Sequence, residues 1–100
     1  MLNIKKQLYE DLKDPAYASA YINEAILDRD EAALKTALAD VIRAKGVAAV
    51  ARKAGINRVT VYKTLNPDTE SSFATMHALL KACNVSLQVQ PAKPSKAKRS

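Results

Sequence analysis

Arg52, Asn57, Arg58, Val59, Thr60, Tyr62 and Lys63 fall within one short stretch that carries no acid. Their side chains offer what recognition of a nucleic-acid duplex uses. Guanidinium and ammonium groups suit phosphate, an amide and hydroxyls donate and accept, and an apolar surface suits a thymine methyl. The acid-free run is longer than this stretch. Between Asp40 and Asp68 there are six bases, Arg43, Lys45, Arg52, Lys53, Arg58 and Lys63, and no Asp or Glu. Such a surface points toward phosphate backbones. The bland alternative is an ordinary helical hairpin with a solvated basic face.

Placing those side chains together requires two short helices and a tight turn. Residues 47–66, VAAVARKAGINRVTVYKTLN, supply that pattern, with one helix near 47–54, a turn at Gly55-Ile56-Asn57 and a second helix near 58–65. Val47, Val50, Ala51 and Ala54 form the inner face of the first helix, and Ile56, Val61 and Leu65 pack from the turn and the second. Gly55 accepts a left-handed backbone that a side chain opposes. Asn57 caps the second helix. With that helix in a major groove, Arg58, Val59, Tyr62 and Lys63 approach base edges. Arg58 reads guanine through two hydrogen bonds, Val59 touches a thymine methyl, and Thr60 and Tyr62 bring hydroxyls. Arg52 and Asn57 are assigned to phosphate.

The scaffold around this unit reads as helical. The chain has 100 residues, enough for one domain with one modest core, and its alanine-rich, glycine-poor composition favours helix over sheet. Residues 1–13 read as a weakly ordered lead-in. Asp14-Pro15 starts a helix whose apolar face is Tyr17, Tyr21, Ile22, Ala25 and Ile26 and which ends near Leu27. The tyrosines are either packing residues or a contact surface for a partner. Asp28 or Asp30 caps the next helix, in which Leu34, Ala37, Leu38, Val41 and Ile42 share a face and Gly46 is the stop. Ser71 or Ser72 caps a fifth helix presenting Phe73, Met76, Leu80 and Cys83, with Asn84 as terminator. Residues 85–90 alternate apolar and polar, a strand signature that calls for a pairing partner such as a second subunit. Residues 91–100 read as a disordered basic tail. The expectation is an all-α, five-helix helix-turn-helix domain over residues 14–90, with one short C-terminal β-strand.

Charge is uneven along the chain. Residues 1–40 carry five bases and eight acids, residues 41–67 six bases and no acid, and residues 68–100 five bases and two acids. The basic middle suits nucleic acid, and the acidic end suits a basic protein or plain solvation. Cys83 is the single cysteine, so no intrachain disulfide forms. One His and one Cys argue against a metal site. No nucleophile–histidine motif, phosphate loop or glycine-rich fingerprint is present, so no enzyme and no cofactor are expected. No apolar run suits a signal peptide or a membrane span, which makes a cytoplasmic protein the default.

From Asp11 to about Val89 the chain resembles the addiction-module antidote proteins, HigA-like antitoxins with an Xre-type helix-turn-helix. DPAYASAYINEAI is similar to that family's first helix and LDRDEAALKTALADVIRAKG to its second. VAAVARKAGINRVTVYKTLNPD resembles its most recognisable block, with an Ala-Gly-aliphatic turn, a Tyr in the recognition helix and a Leu before an Asn-Pro turn. FATMHALLKACNVSLQV is similar to its closing helix and strand, with Cys83-Asn84 where members commonly show Leu-Gly. The resemblance implies a lambda-repressor-like fold and a two-part function. One part is neutralisation of a small basic toxin of the RelE/HigB type, an mRNA endonuclease, by direct binding. The other is repression of the protein's own operon as a homodimer on operator DNA. The recognition helix carries over to Arg58–Leu65, and the acidic N-terminal part is the region assigned to the toxin. A stand-alone repressor without a toxin and a pure protein-interaction module remain the alternatives.

Overall fold

Local signals set most of the helix ends. In a computed structural model that describes residues 4–88 and 91, Asp14 caps a helix by accepting a 3.0 Å bond from the Ala16 amide, with Pro15 at the first position. Asp30 does the same for the Ala32 amide. Asp28 instead ends the preceding helix, so Asp30 wins the competition between the two caps. Among the described residues there are six helices: α1 Ile4–Leu12, α2 Pro15–Leu27, α3 Glu31–Lys45, α4 Val47–Ala54, α5 Arg58–Leu65 and α6 Phe73–Ala82. The domain is all-α, with one helix more than the sequence led us to expect.

The extra helix is α1, which replaces the weakly ordered lead-in. Nine residues make a marginal helix in isolation, because nucleation is costly. Packing supplies what propensity lacks. Leu12 is fully buried and Leu8 and Tyr9 lie against the core. Burying Leu12 alone is worth about 1.5–3 kcal/mol. The Lys45 ammonium also donates to the Lys13 carbonyl at 2.9 Å, tying the end of α1 to the end of α3.

α3 is the axis of the fold. It packs against α1, α2, α4 and α5, while α4 also meets α6. Its face of Ala37, Leu38, Val41 and Ile42 is buried, as the spacing predicts, and Leu34 packs half-buried beside them. Tyr21 of α2 is half-buried and donates to the Asp40 carboxylate of α3 at 2.8 Å, whereas Tyr17 stays largely exposed. The packing reading therefore holds for Tyr21.

Two expectations for the C-terminal part change. On α6 the inward residues are Leu79, Leu80 and Ala82, with Cys83 buried just beyond, while Phe73 is 71% exposed and stacks on His77 at 5.8 Å. The face begins at Met76, which is half-buried against the core. Val85–Gln88 forms no strand. Val85 is buried against the core and Leu87 is half-buried, so the alternation reflects a segment lying on the helices rather than a ladder. The remainder of the expected strand, Val89 and Gln90, and the tail beyond Pro91 lie outside the described residues. No helix among the described residues is long and apolar enough to cross a membrane.

Candidate nucleic-acid interface

α4 and α5 form the two-helix unit that the sequence announces. Gly55 ends α4 in the left-handed region, φ 71°, and the Ile56 amide bonds back to the Ala51 carbonyl at 2.9 Å. Asn57 then starts α5, its side-chain oxygen accepting from the Val59 amide at 2.7 Å. Val50 and Ala51 of α4 and Val61 of α5 are buried, and Ala54, Ile56 and Leu65 pack around them. This packing fixes which side of α5 faces outward.

The outward side is the one expected. Asn57, Arg58, Thr60 and Lys63 are exposed, as is Arg52 on α4, and the large apolar surfaces of Val59 and Tyr62 are 63% and 52% exposed. All seven candidate residues thus share the solvent-facing surface of one helix pair. Among the described residues, the side chains of Arg52, Arg58, Tyr62 and Lys63 make no hydrogen bond or ion pair. The exposed apolar surfaces of Val59 and Tyr62 thus lie on the same helix as the exposed Arg58 guanidinium and Lys63 ammonium. Asn57 differs from the rest: its oxygen is committed to the cap, so its amide nitrogen is the group left for an external acceptor.

A buried lysine holds the far end of α5, and the sequence reading missed it. Lys35 of α3 is 1% exposed, and its ammonium donates to the carbonyls of Asn66, at 2.9 Å, and Thr69, in the loop that follows α5. Asn66 is the C-cap of α5, where a cation complements the negative end of the helix dipole. Glu31 lies 3.8 Å away but is itself mostly exposed, so the carbonyls are the partners that keep the charge satisfied. The signal was available: position 35 shares the i, i+3, i+7 face with Leu38 and Ile42. Thr64 and Ser71 complete this corner, Thr64 donating to the Thr60 carbonyl and Ser71 to the Thr64 carbonyl, both at 2.8 Å. Ser72, not Ser71, caps α6. On the other side of the pair, Lys53 donates to the Asn84 side chain at 3.1 Å, and Asn84 takes the left-handed conformation, φ 65°.

The acids gather elsewhere. Glu24 and Asp28 at the end of α2 and Asp30 and Glu31 at the start of α3 are all exposed, with the exposed apolar side chains of Ile26 and Leu27 beside them in the chain. Two groups are shifted in the interior. Burial, then the bond to Asp40 and its charge, pushes the Tyr21 phenol up to about 12. Burial pushes the Cys83 thiol up to about 11, against the opposing pull of Lys45 and Lys53. A thiol so shifted stays protonated at neutral pH and is a poor nucleophile. Among the described residues no group of three or more His, Cys, Asp or Glu side chains could hold a metal ion.

The sequence model of a family described as "Probable addiction module antidote protein" matches residues 3–91. An uncharacterized protein of Haemophilus influenzae is 35% identical over 81 residues, which cover 81% of this chain and 84% of that relative. No solved structure matches the chain.

Proposed function

The chain belongs to the family of probable addiction module antidote proteins, and on that premise we propose that it is the antitoxin of a type II toxin–antitoxin module, of the HigA-like kind with an Xre-type helix-turn-helix. It binds a small basic toxin of the RelE/HigB type directly and blocks its mRNA-endonuclease activity. It also represses its own operon by sequence-specific binding to operator DNA as a homodimer. It works in the cytoplasm by binding alone and catalyses no step.

One observation carries the DNA half of this reading. α5 turns Arg58, Val59, Tyr62 and Lys63 outward while Val61 and Thr64 are buried, within a chain segment free of acids. In this reading Arg58, in the first turn, donates twice to a guanine edge, and Arg52 and the Asn57 amide nitrogen hold flanking phosphates. For the toxin half, family membership supplies the toxin as a partner. The acidic junction of α2 and α3 has the charge that a basic protein seeks and, in Leu27, 75% exposed, an apolar anchor.

Two measurements test the proposal. Protection of a palindromic segment upstream of the gene, with affinity falling steeply as salt rises, is expected for the DNA half. Co-purification with the basic product of a short neighbouring reading frame is expected for the toxin half. Operator protection without any such partner would reduce the protein to a stand-alone repressor. Salt-insensitive binding would remove the basic face from the account.

A further inference from the structure

Five bases that lie far apart in the sequence share one end of the molecule. Lys5, Lys6 and Lys13 come from α1 and the residue after it; Arg43 and Lys45 come from the last turn of α3. Between the two helices is a cleft of about 520 Å³ lined by Lys5, Lys6, Tyr9, Glu10, Lys13 and Arg43. Lys45 borders it through its bond to the Lys13 carbonyl. Lys5 and Arg43 thus line a cleft in which Glu10 is the one carboxylate among the described residues, and that carboxylate is already met by Lys13 at 3.1 Å. The negative end of the α3 dipole, roughly half an elementary charge, calls for Arg43 and Lys45 and no more. Lys5 of α1 adds positive charge beyond what that dipole requires.

We propose that this cleft is a second phosphate-binding surface, which grips the sugar–phosphate backbone of duplex DNA outside the bases approached by α5. The inference rests on the DNA-binding reading of α4 and α5. Two observations favour phosphate. Gly46 alone separates the end of α3 from the start of α4, so Arg43 and Lys45 stand directly before the helix pair in the chain. The cations are mostly lysines on exposed positions, point charges without fixed fork geometry, which suit contacts that position a duplex without reading it. α1 then has a function that its sequence hides, since Glu10 and Asp11 cancel Lys5 and Lys6 in a linear count.

The test compares the full chain with two variants on random-sequence duplex and on the duplex upstream of the gene, across a range of salt. In Lys5→Gln/Lys13→Gln/Arg43→Gln the slope of log affinity against log salt falls by about 2–3 in magnitude, at about 0.9 for each phosphate no longer neutralised. The preference for the upstream duplex over random sequence is retained. Arg58→Ala does the opposite, lowering that preference. Should the triple variant fold poorly, Lys5→Gln alone lowers the slope by about 0.9. An unchanged slope in these variants, with Arg58→Ala still impaired, overturns this inference and leaves the DNA reading standing. Absence of salt-dependent duplex binding by the parent chain overturns both. Displacement of the duplex by polyglutamate at equal charge concentration overturns the assignment to phosphate and makes the cleft a surface for acidic protein.

Discussion

The two ends of α3 face different chemistry. Its first turn lies among Glu24, Asp28, Asp30 and Glu31, with Ile26 and Leu27 exposed nearby; its last turn carries Arg43 and Lys45 beside the lysines of α1. Part of this polarity is plain helix physics, because acids suit a helix start and bases its end. The dipole accounts for one or two charges at each end, and both ends hold more. Fifteen residues at 1.5 Å each separate the ends by about 22 Å. That exceeds the Debye length of about 8 Å at physiological salt, so the two patches act independently in solution. One helix therefore carries two charged surfaces that different partners can use without competing through electrostatics.

This polarity is lost most completely if α3 itself is undermined. Leu38 is fully buried, and Leu38→Ala is expected to cost about 2–5 kcal/mol. Urea titration should show the loss, and DNA binding and toxin capture should fall together. Arg58→Ala separates the two surfaces instead. It should cost about 1–3 kcal/mol of operator affinity, read by titration at fixed salt, and leave toxin capture unchanged. Weakening of both functions by this variant would mean that the surfaces are coupled.

Tyr21→Phe tests the tie between α2 and α3. It removes a bond to the buried Asp40 carboxylate and should cost about 1–3 kcal/mol of stability. Its pH signature has a definite sign. The folded phenol titrates near 12 against 10.0 for the free group, so its contribution is complete below pH 10.0 and is lost as pH rises through about 12. The difference in stability between parent and variant should shrink across that window; a constant difference would separate the bond from the shifted phenol. The smallest effect belongs to Asp28→Asn with Glu31→Gln. Exposed charges at a rim are worth at most about 1 kcal/mol and act mainly on association rate. Slower toxin capture with unaltered operator affinity is the expected outcome in stopped-flow and titration.

Much of the fold was legible because its signals are local. Asp14-Pro15, Gly46, Gly55 and Asn57 mark helix ends by backbone conformation and by side-chain bonds to amides two residues away. The outward face of α5 followed from period and from the burial of Val61. Other features were hidden for one shared reason. α1 is too short to be a helix on propensity, the inward face of α6 depends on which of its turns meets α4, and residues 85–88 alternate whether they pair or lie on a core. Each was decided by contacts with residues distant in sequence.

The sequence by itself determined where most helices begin and end, which side of α5 is polar and basic, and that acids and bases occupy different stretches of chain. Short-range hydrogen bonding and hydrophobic period suffice for that. Tertiary structure alone decided that Lys35, inward by its period, would meet the carbonyls of the loop after α5, and that α1 would bring its lysines beside Arg43. A lysine's destination depends on which carbonyls and which charges the folded chain sets around it, and those come from stretches of chain far from it in sequence.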